Sequence, residues 1–537
     1  MQTKKILAFT IALGLSTNLY ASNDFDMGKV QIVGKDAQEE KIDPAKNSLS
    51  MDIGERSYPM PELIPETGPQ EFKPMTEKQI LNNFHRESKE EISVSAGLGT
   101  RGSNELIING KGERAGYIGD IIIRRETRDG YKSFYDTRHS GLKAVVTSTG
   151  EGSYILSGAG EYSVSKQAQR GTKTIPTPDA GFEDSVSRIS LVGNSTLEDG
   201  AFFKGHASID SISRNITNSK VAFNEDQTVF SLKAGASYNK KLTDKFRGVA
   251  AVDLKSDKFT VSNGKDRKLT KTVLDLGGDY EVSEKANLKF GFKAMSLMEK
   301  DRTSPYASID YRWAKPWQAY LAYDEDLCND SLEQIFMPSR YVVANALKAS
   351  RTRTWKGGVN YKTNRGDTLG VEFFSQREAD AIEYLDAYDP GKAMLTSTFR
   401  FVNDVRRRGT TLRGTFKLEK HFKFKISTTY QTPEDDATGR RISYEPEKIL
   451  DVGLNYTEGK FMIDFTRRAE FNRTAHTTTA SFGADDYSRA DLAVRYKMNQ
   501  RFSAYLKIKD LYDEASEIRY NVPEEGRVTL AGIEAHF

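Results

Sequence analysis

The sequence has 537 residues, with 78 basic and 75 acidic side chains, a formal net charge of +3, 10% aromatic residues and a mean hydropathy of -0.59. This balance gives no overall field for gathering nucleic acid, and after position 20 no apolar run reaches the ~18 residues that a membrane helix needs. The single cysteine, Cys328, excludes an intrachain disulfide, a cysteine-rich zinc site and an iron–sulfur cluster.

The N-terminus has the layout of a secretory signal peptide. Lys4 and Lys5 precede an apolar run over residues 6–15, and a polar stretch then ends at Ala21. We predict that residues 1–21 are a signal peptide cleaved after Ala21. A membrane anchor is the alternative, but the apolar run is too short to span a bilayer.

Residues 22–89 are polar and rich in closely spaced prolines, which are incompatible with a long helix or a central strand. We predict a flexible periplasmic segment. One piece is strand-like and suited to adding to the sheet edge of a partner: Lys29, Val30, Gln31, Ile32 and Val33. A second piece, residues 76–85, is compatible with one or two helical turns.

From residue 90 to the end, apolar and polar residues alternate with the period of two that is typical of half-buried strands. In one example, Leu288, Phe290 and Phe292 alternate with Asn287, Lys289 and Gly291. The polar faces carry too many charges to form a packed interior. This pattern favours a transmembrane barrel, with lipid outside and a polar lumen, over a soluble sandwich.

The connections between these strands alternate between short and long, as in outer-membrane barrels. Short turns are predicted at residues 239–243, 283–286, 314–316, 419–421, 457–460 and 498–500, and long loops at 432–448, 469–487 and 510–526. At roughly 20 residues per strand with its connection, residues 90–537 predict an all-β antiparallel barrel of about 20 to 22 strands.

The last strand ends in an aromatic residue that shares one face with small and apolar residues: Ala531, Ile533, Ala535 and Phe537. This arrangement resembles the C-terminal signal that the outer-membrane barrel-assembly machinery reads. We therefore predict that this machinery and outer-membrane lipid are partners of the chain.

The C-terminal third resembles one family, the TonB-dependent outer-membrane receptors. The resemblance is carried by Asp510-Leu-Tyr-Asp513, by Val522-Pro-Glu-Glu-Gly-Arg527 before the last strand, and by Asn403-Asp-Val-Arg-Arg-Arg-Gly409 with Gly414. It covers residues 326–537 through these motifs and residues 90–326 by pattern alone. It implies a transport function, with the TonB energy-transducing complex as a partner.

The sequence departs from this family before the barrel. Family members carry an N-terminal plug of well over a hundred residues, and the stretch between Ala21 and residue 90 has no room for one. Residues 26–34 resemble the energy-coupling segment that precedes the plug, and a short apolar patch in a flexible tail is the alternative. We expect a wide lumen that is open, filled by the tail, or filled by a separate plug chain.

We find no pattern that indicates catalysis or a cofactor. The six histidines are scattered without metal-ligand spacing, and Gly97-Leu-Gly-Thr-Arg-Gly102 precedes another strand-like run rather than a helix, so we interpret it as a turn. No nucleophile-elbow, phosphate-loop or zinc-protease motif occurs. We expect a protein that is not an enzyme and binds neither a metal nor a cofactor.

A basic cluster supplies candidates for lumen-lining residues that favour anionic solutes: Arg406, Arg408, Arg413 and Lys417. Pairing of these side chains with acidic residues on neighbouring strands is the alternative. We predict an outer-membrane transport barrel with both termini in the periplasm, which passes a solute either passively or with a separate plug and energy-coupling partner. The second hypothesis is a surface interaction or assembly scaffold anchored by a sealed barrel.

Overall fold

The computed structural model describes residues 91–537 apart from short internal gaps: 115, 129–136, 149–153, 169–179, 197–200, 219–220, 263–265, 299, 329–340, 343–347, 365, 390–393, 419–420, 477–480, 485, 514–516, 520–521 and 524–525. The strand-like segment predicted at residues 29–33 and the helical turn predicted at 76–85 lie outside the described residues. Within the described residues, no helix is long and apolar enough to cross a membrane.

The described chain consists of strands joined by turns and loops. In chain order the strands are β1 (Glu91–Gly99), β2 (Asn104–Arg114), β3 (Tyr117–Arg128), β4 (Thr137–Ser148), β5 (Tyr154–Ala168), β6 (Ala180–Thr196), β7 (Phe202–Asn218), β8 (Phe223–Lys241), β9 (Phe246–Val261), β10 (Arg267–Ser283), β11 (Ala286–Leu297), β12 (Lys300–Ala314), β13 (Trp317–Cys328), β14 (Tyr341–Val342), β15 (Ser350–Lys362), β16 (Thr368–Asp389), β17 (Met394–Leu418), β18 (Phe422–Asp435), β19 (Lys448–Glu458), β20 (Phe461–Phe471), β21 (Arg473–His476), β22 (Ser481–Ala484), β23 (Tyr487–Lys497), β24 (Phe502–Lys509), β25 (Glu517–Arg519), β26 (Val522–Pro523) and β27 (Val528–His536).

Twenty-two of these strands form one closed antiparallel barrel. Each wall strand pairs with the next along the chain, and β27 pairs with β1 to close the wall. The short strands β14, β21, β22, β25 and β26 lie outside this ring of pairings, and β14 pairs in parallel with β17. The prediction of an all-β barrel of 20 to 22 strands is confirmed.

The two faces of the wall follow the alternation in the sequence. Large apolar side chains are exposed on the outward face, for example Ile121, Leu321 and Phe373. The residues that alternate with such apolar positions point inward and are polar or charged, as are Lys143 after the exposed Leu142 and Glu372 before Phe373. Because successive side chains of a strand point to opposite faces, one amphipathic pattern repeated around the ring gives an apolar exterior and a polar lumen.

The two ends of the barrel differ in their connections. At the short-turn end, β8 and β9 are joined over residues 242–245, β10 and β11 over 284–285, and β12 and β13 over 315–316. The first and last strands also meet there, where the Phe537 backbone N–H donates to the Ile92 carbonyl over 2.8 Å. The opposite, long-loop end carries the connections over 436–447, 472–486 and 510–527. The predicted alternation of short turns with long loops is confirmed from β17 to β27, whereas β11 and β12 are joined at the long-loop end by only two residues.

Aromatic rings of the outward face concentrate near the short-turn end. Trp317 stacks on Trp313 with ring centroids 5.7 Å apart. It also contacts Tyr361 on the neighbouring strand β15, with ring centroids 4.6 Å apart. Nearer the long-loop end, Tyr323 and Trp355 pair at 4.6 Å. Such rings border the lipid-facing band of outer-membrane barrels at both interfaces.

The seam between β27 and β1 is covered from the lumen by Tyr505 of β24. Its hydroxyl donates to Glu105 over 3.2 Å. A Cβ added at Gly532 would overlap the Tyr505 ring, and one added at Gly97 would lie 2.5 Å from the Tyr505 hydroxyl oxygen. Glycine at these two positions therefore lets the ring lie flat against the closing pair of strands.

Candidate functional site

The lumen wall is built from charged side chains that pair between strands. Lys507 of β24 donates to Glu105 of β2 over 2.7 Å, and Lys293 of β11 donates to Asp324 of β13 over 2.7 Å. Further pairs of this kind join Lys233 to Asp210, Lys271 to Asp326, Arg413 to Glu372 and Arg495 to Glu534. Both signs of charge therefore face the interior, which suits a hydrated passage rather than an apolar one.

Strands β16 and β17 are much longer than their neighbours. They have 22 and 25 residues, whereas β15 has 13 and β18 has 14. A strand needs only about 9 to 11 residues to cross a bilayer. The part of the pair beyond the wall is called here the crossing hairpin, and its described side chains come from residues 378–385 and 400–407.

One face of the crossing hairpin packs against a distant part of the wall. Tyr384 is 5% exposed and belongs to one buried cluster with Val186, Ile212, Val229, Phe259 and Leu269, which come from β6 to β10. Even β10 is five strand pairings away from β16 along the wall. The hairpin therefore leans across the mouth of the barrel at the long-loop end.

The other face of the crossing hairpin is held by Glu383, which is 1% exposed. Arg400 of β17 donates to this carboxylate over 2.6 Å, and Arg440 donates two hydrogen bonds over 2.7 and 3.1 Å. The Ser443 backbone N–H donates over 2.9 Å, and His476 Nε2 lies 3.7 Å away. Because Arg440 and Ser443 belong to the loop before β19, the carboxylate ties this loop to the hairpin.

A second buried charge, Arg407, holds the base of the hairpin. Its guanidinium donates to both Glu445 carboxylate oxygens over 2.7 and 2.6 Å and to Glu378 over 2.8 Å. A guanidinium matches a carboxylate in such a two-bond geometry, which fixes relative orientation as well as distance. Buried ionic contacts through Glu383 and Arg407 therefore fasten the loop over 436–447 to the crossing hairpin.

The charges of this network alter how two of its groups titrate. Burial raises the pKa of Glu383, but the hydrogen bonds from Arg440, Arg400 and the Ser443 N–H outweigh burial and hold that pKa below its usual 4.5. Burial also lowers the pKa of His476 below its usual 6.5. At neutral pH the network therefore contains a carboxylate anion and an uncharged imidazole, whose Nε2–H donates to the Arg441 carbonyl over 2.8 Å.

The four predicted lumen residues on β17 fall on two faces. Arg413 and Lys417 share the inward face, and Arg413 donates to Glu372 over 2.7 Å. Arg406 and Arg408 share the outward face with Leu412, and Arg406 pairs with Asp436 over 2.7 Å. Alternation along one strand separates the cluster in this way.

The C-terminal residues predicted as an assembly signal lie along β27 and, for Phe537, directly after it. Ile533 and Phe537 are exposed on the outward face, and Ala531 and Ala535 share that face. The energy-coupling-like residues, Lys29 to Val33, lie outside the described residues. In the part of the chain that the structure describes, no group of three histidine, cysteine or acidic side chains is placed to hold a metal ion.

The reasoning from sequence did not single out the residues of the crossing hairpin. One local signal was available, since apolar residues no longer alternate strictly with polar ones at Ala381, Ile382, Tyr384 and Leu385. A stretch that extends beyond the membrane and remains apolar on both faces must be covered on both faces.

Comparison with known proteins places this fold in a family. The family model described as "TonB dependent receptor-like, beta-barrel" matches residues 127–511. No curated protein sequence matches the chain.

Solved structures of outer-membrane receptors and transporters share the fold. The ferripyoverdine receptor of Pseudomonas aeruginosa has a TM-score of 0.66 at 12% identity, over 84% of this chain and 72% of that chain. The FrpB iron transporter of Neisseria meningitidis has a TM-score of 0.67 at 12% identity, over 85% and 83%. The copper transporter OprC has a TM-score of 0.63 at 12% identity, over 84% and 80%. Since the family model spans well over half of the sequence, the chain belongs to the TonB-dependent receptor-like β-barrel family, whose fold is that of an outer-membrane receptor.

Proposed function

We propose that this protein mediates passage of a polar solute across the outer membrane. In this proposal the long-loop end faces the outside of the cell and both ends of the barrel chain lie in the periplasm. Short turns on the periplasmic side and long loops outside are the rule for such barrels, which supports this orientation. The proposal includes no enzymatic activity.

The observation that carries the proposal is the lumen of the 22-strand ring, which is lined with paired charges of both signs. A ring of this size encloses more space than its own wall side chains fill. An apolar exterior around a polar interior matches passage of hydrated molecules. Within this lumen we propose that Arg413 and Lys417 contact anionic solutes.

The class of solute and the partners are part of the proposal. A ferripyoverdine receptor, an iron transporter and a copper transporter share the fold, so metal-containing solutes are the first class to test. Passage is either passive or coupled to the TonB complex, with a separate plug chain as a further partner. Residues 29–33 are the proposed contact for energy coupling.

Single-channel conductance of the refolded chain in a planar bilayer tests the proposal. We expect discrete conductance steps, together with uptake of a ferric chelate into proteoliposomes. Uptake by vesicles with the protein, but not by vesicles without it, supports passage. A chain that inserts, migrates as a folded barrel and yet passes neither ions nor chelate contradicts the proposal.

A second candidate is an anchored surface scaffold whose barrel is sealed. The packing of Tyr384 against β6 to β10 favours it, because a hairpin across the mouth obstructs the lumen. Deleting residues 22–89 and, separately, loosening the hairpin distinguish the two candidates. A sealed scaffold becomes leaky only when its tail is deleted or its hairpin is loosened, whereas a transporter passes the solute with both in place.

A further inference from the structure

A cavity of about 940 Å³ lies at the long-loop end, beside the base of the crossing hairpin. Its walls come from β10 to β12 on one side and from the segment before β15, with β16, on the other. Among the described residues, the polar lining consists of three ammonium groups, three hydroxyl groups and one carboxylate, among them Lys268, Lys300, Lys348, Thr270, Thr272 and Asp380. The lining is therefore rich in donors and carries more positive than negative charge.

Asp380, the carboxylate among the described lining residues, also lies where the strand pairing of the crossing hairpin is interrupted, a position called here the elbow. Its neighbours Ala379 and Ala381 pair with Asp404 and Val402 on β17, whereas Asp380 lies between these pairs without a partner in the ladder. Its φ of 55° lies in the left-handed region, which is uncommon outside glycine and which aspartate adopts more readily than most residues. The backbone of β16 is thus interrupted where the strand leaves the wall.

Two lysines of the cavity hold this elbow. Lys300 Nζ donates to one Asp380 carboxylate oxygen over 3.0 Å and also to the Ala349 carbonyl over 3.1 Å. Lys348 Nζ lies 3.6 Å from the other oxygen and 5.2 Å from the Phe401 ring centroid. Because Lys300 belongs to β12 and Lys348 precedes β15, these contacts fasten the hairpin to two other parts of the rim.

These ion pairs are exposed to solvent and open to competition. The Lys300 and Lys348 side chains are 52% and 53% exposed. Exposed lysine–carboxylate pairs are screened by water and salt and contribute little to stability. A ligand with two or more negative groups offers both lysines a better partner than one carboxylate does, and Lys268 and the hydroxyl groups add further contacts.

We propose that this cavity binds a multivalent oxyanion, a ligand with at least two phosphate or carboxylate groups. The ligand takes Lys300 and Lys348 from Asp380 and thereby loosens the elbow of the crossing hairpin. This site goes beyond passage through the lumen, because anion binding at the rim is measurable whether or not the barrel conducts.

Calorimetric titration of the full refolded chain in detergent with sodium pyrophosphate, at fixed ionic strength, tests the site. We expect saturable binding that weakens at least tenfold in the double variant Lys300→Gln/Lys348→Gln. The matched control is Lys245→Gln/Lys285→Gln, which removes the same charge at the short-turn end and leaves the affinity unchanged. No binding by the unaltered chain, or equal weakening in both double variants, overturns the proposal.

The substitution Asp380→Asn separates competition at the elbow from general electrostatics. It removes the internal competitor, so pyrophosphate binds at least threefold more tightly and amide hydrogen exchange of β16 after residue 380 accelerates. Asp301→Asn makes the same charge change beside Lys300 at a residue that does not line the cavity, and leaves both quantities unchanged. The same tightening in both variants contradicts the displacement of Asp380. Migration of each variant as a folded barrel on a gel verifies that it has folded.

The same phosphate chemistry is available from a free solute and from a lipid headgroup. Titration in micelles with and without lipid A distinguishes the two sources. If lipid A binds the unaltered chain but not the lysine double variant and suppresses pyrophosphate binding, the cavity receives a headgroup. If pyrophosphate binds equally with lipid A present, the cavity receives a soluble anion. Failure of both probes contradicts the site.

Discussion

Shortening Tyr384 to alanine should release the crossing hairpin from the far wall. The side chain is 5% exposed within the cluster from β6 to β10. A buried aromatic side chain covers about 150 to 200 Å², which at about 25 cal/mol per Å² corresponds to about 4 to 5 kcal/mol. Partial collapse of the cluster around the missing ring recovers part of this burial free energy, so docking of the hairpin is weakened by about 3 kcal/mol. The equilibrium between docked and released hairpin therefore shifts about a hundredfold.

The assay for Tyr384→Ala is the open fraction in single-channel records. If the hairpin closes the mouth, the unaltered chain is mostly closed and the variant opens about a hundred times more often, up to saturation. Phe373→Ala is the matched control, because Phe373 lies on the same strand with its ring exposed on the outward face. Equal open fractions for Tyr384→Ala and the unaltered chain would refute the idea that this ring holds the mouth closed.

Three further predictions concern the network and the wall. Arg407→Met leaves Glu378 and Glu445 without their shared partner, so the free energy needed to open the crossing hairpin, measured by hydrogen exchange, falls by about 3 to 5 kcal/mol. Arg413→Met removes a more exposed pair and lowers the same free energy by about 1 kcal/mol or less. Because the pKa of Glu383 is lowered, its contribution to docking of the hairpin is complete above pH 4.5 and is lost as the pH falls through the folded pKa. We therefore expect conductance to rise in acid and Glu383→Gln to flatten that rise. An unchanged pH profile in the variant contradicts this assignment. Gly532→Val drives a side chain into the Tyr505 ring, so the folded-barrel band on a gel is lost at a lower temperature than for Gly160→Val, whose Cβ meets open space.

His476 adds a second transition to the pH profile of hairpin docking, at higher pH than the transition of Glu383. Its pKa lies below 6.5 in the docked state, so docking already weakens as the pH falls below 6.5, the range in which the released imidazole takes up a proton. His476→Gln should remove this part of the profile and leave the part due to Glu383. A single transition that neither substitution moves would mean that other groups control the response.

The wall was predictable because its determinants are local and periodic. Alternation such as that of Leu288, Phe290 and Phe292 defines each strand and the face it turns to lipid, and connection lengths identify the two ends. The same alternation allows each residue of a strand to be assigned to the inward or the outward face. Leu412 is apolar and faces outward, so Arg406 and Arg408 share its phase and Arg413 does not.

The crossing hairpin was beyond such reasoning, because its position depends on contacts between residues far apart in the chain. Tyr384 packs with Val186 and Ile212, which precede it by well over a hundred residues, and no periodic pattern connects these positions. Glu383 is similar, since its partners come from β17, from the loop before β19 and from β21. Alternation in the sequence predicts which face of each strand contacts lipid. It does not predict which residues a strand packs against beyond the wall.

The placement of the tryptophans determines what optical spectroscopy can report for this protein. The chain has three, and Trp313, Trp317 and Trp355 all lie on the outward face of the wall, at the two aromatic belts. Their emission should therefore shift when the barrel inserts into a bilayer and stay constant when the hairpin moves. A dye on the hairpin would have the opposite behaviour, so membrane insertion and opening of the mouth have separate optical signals in one sample.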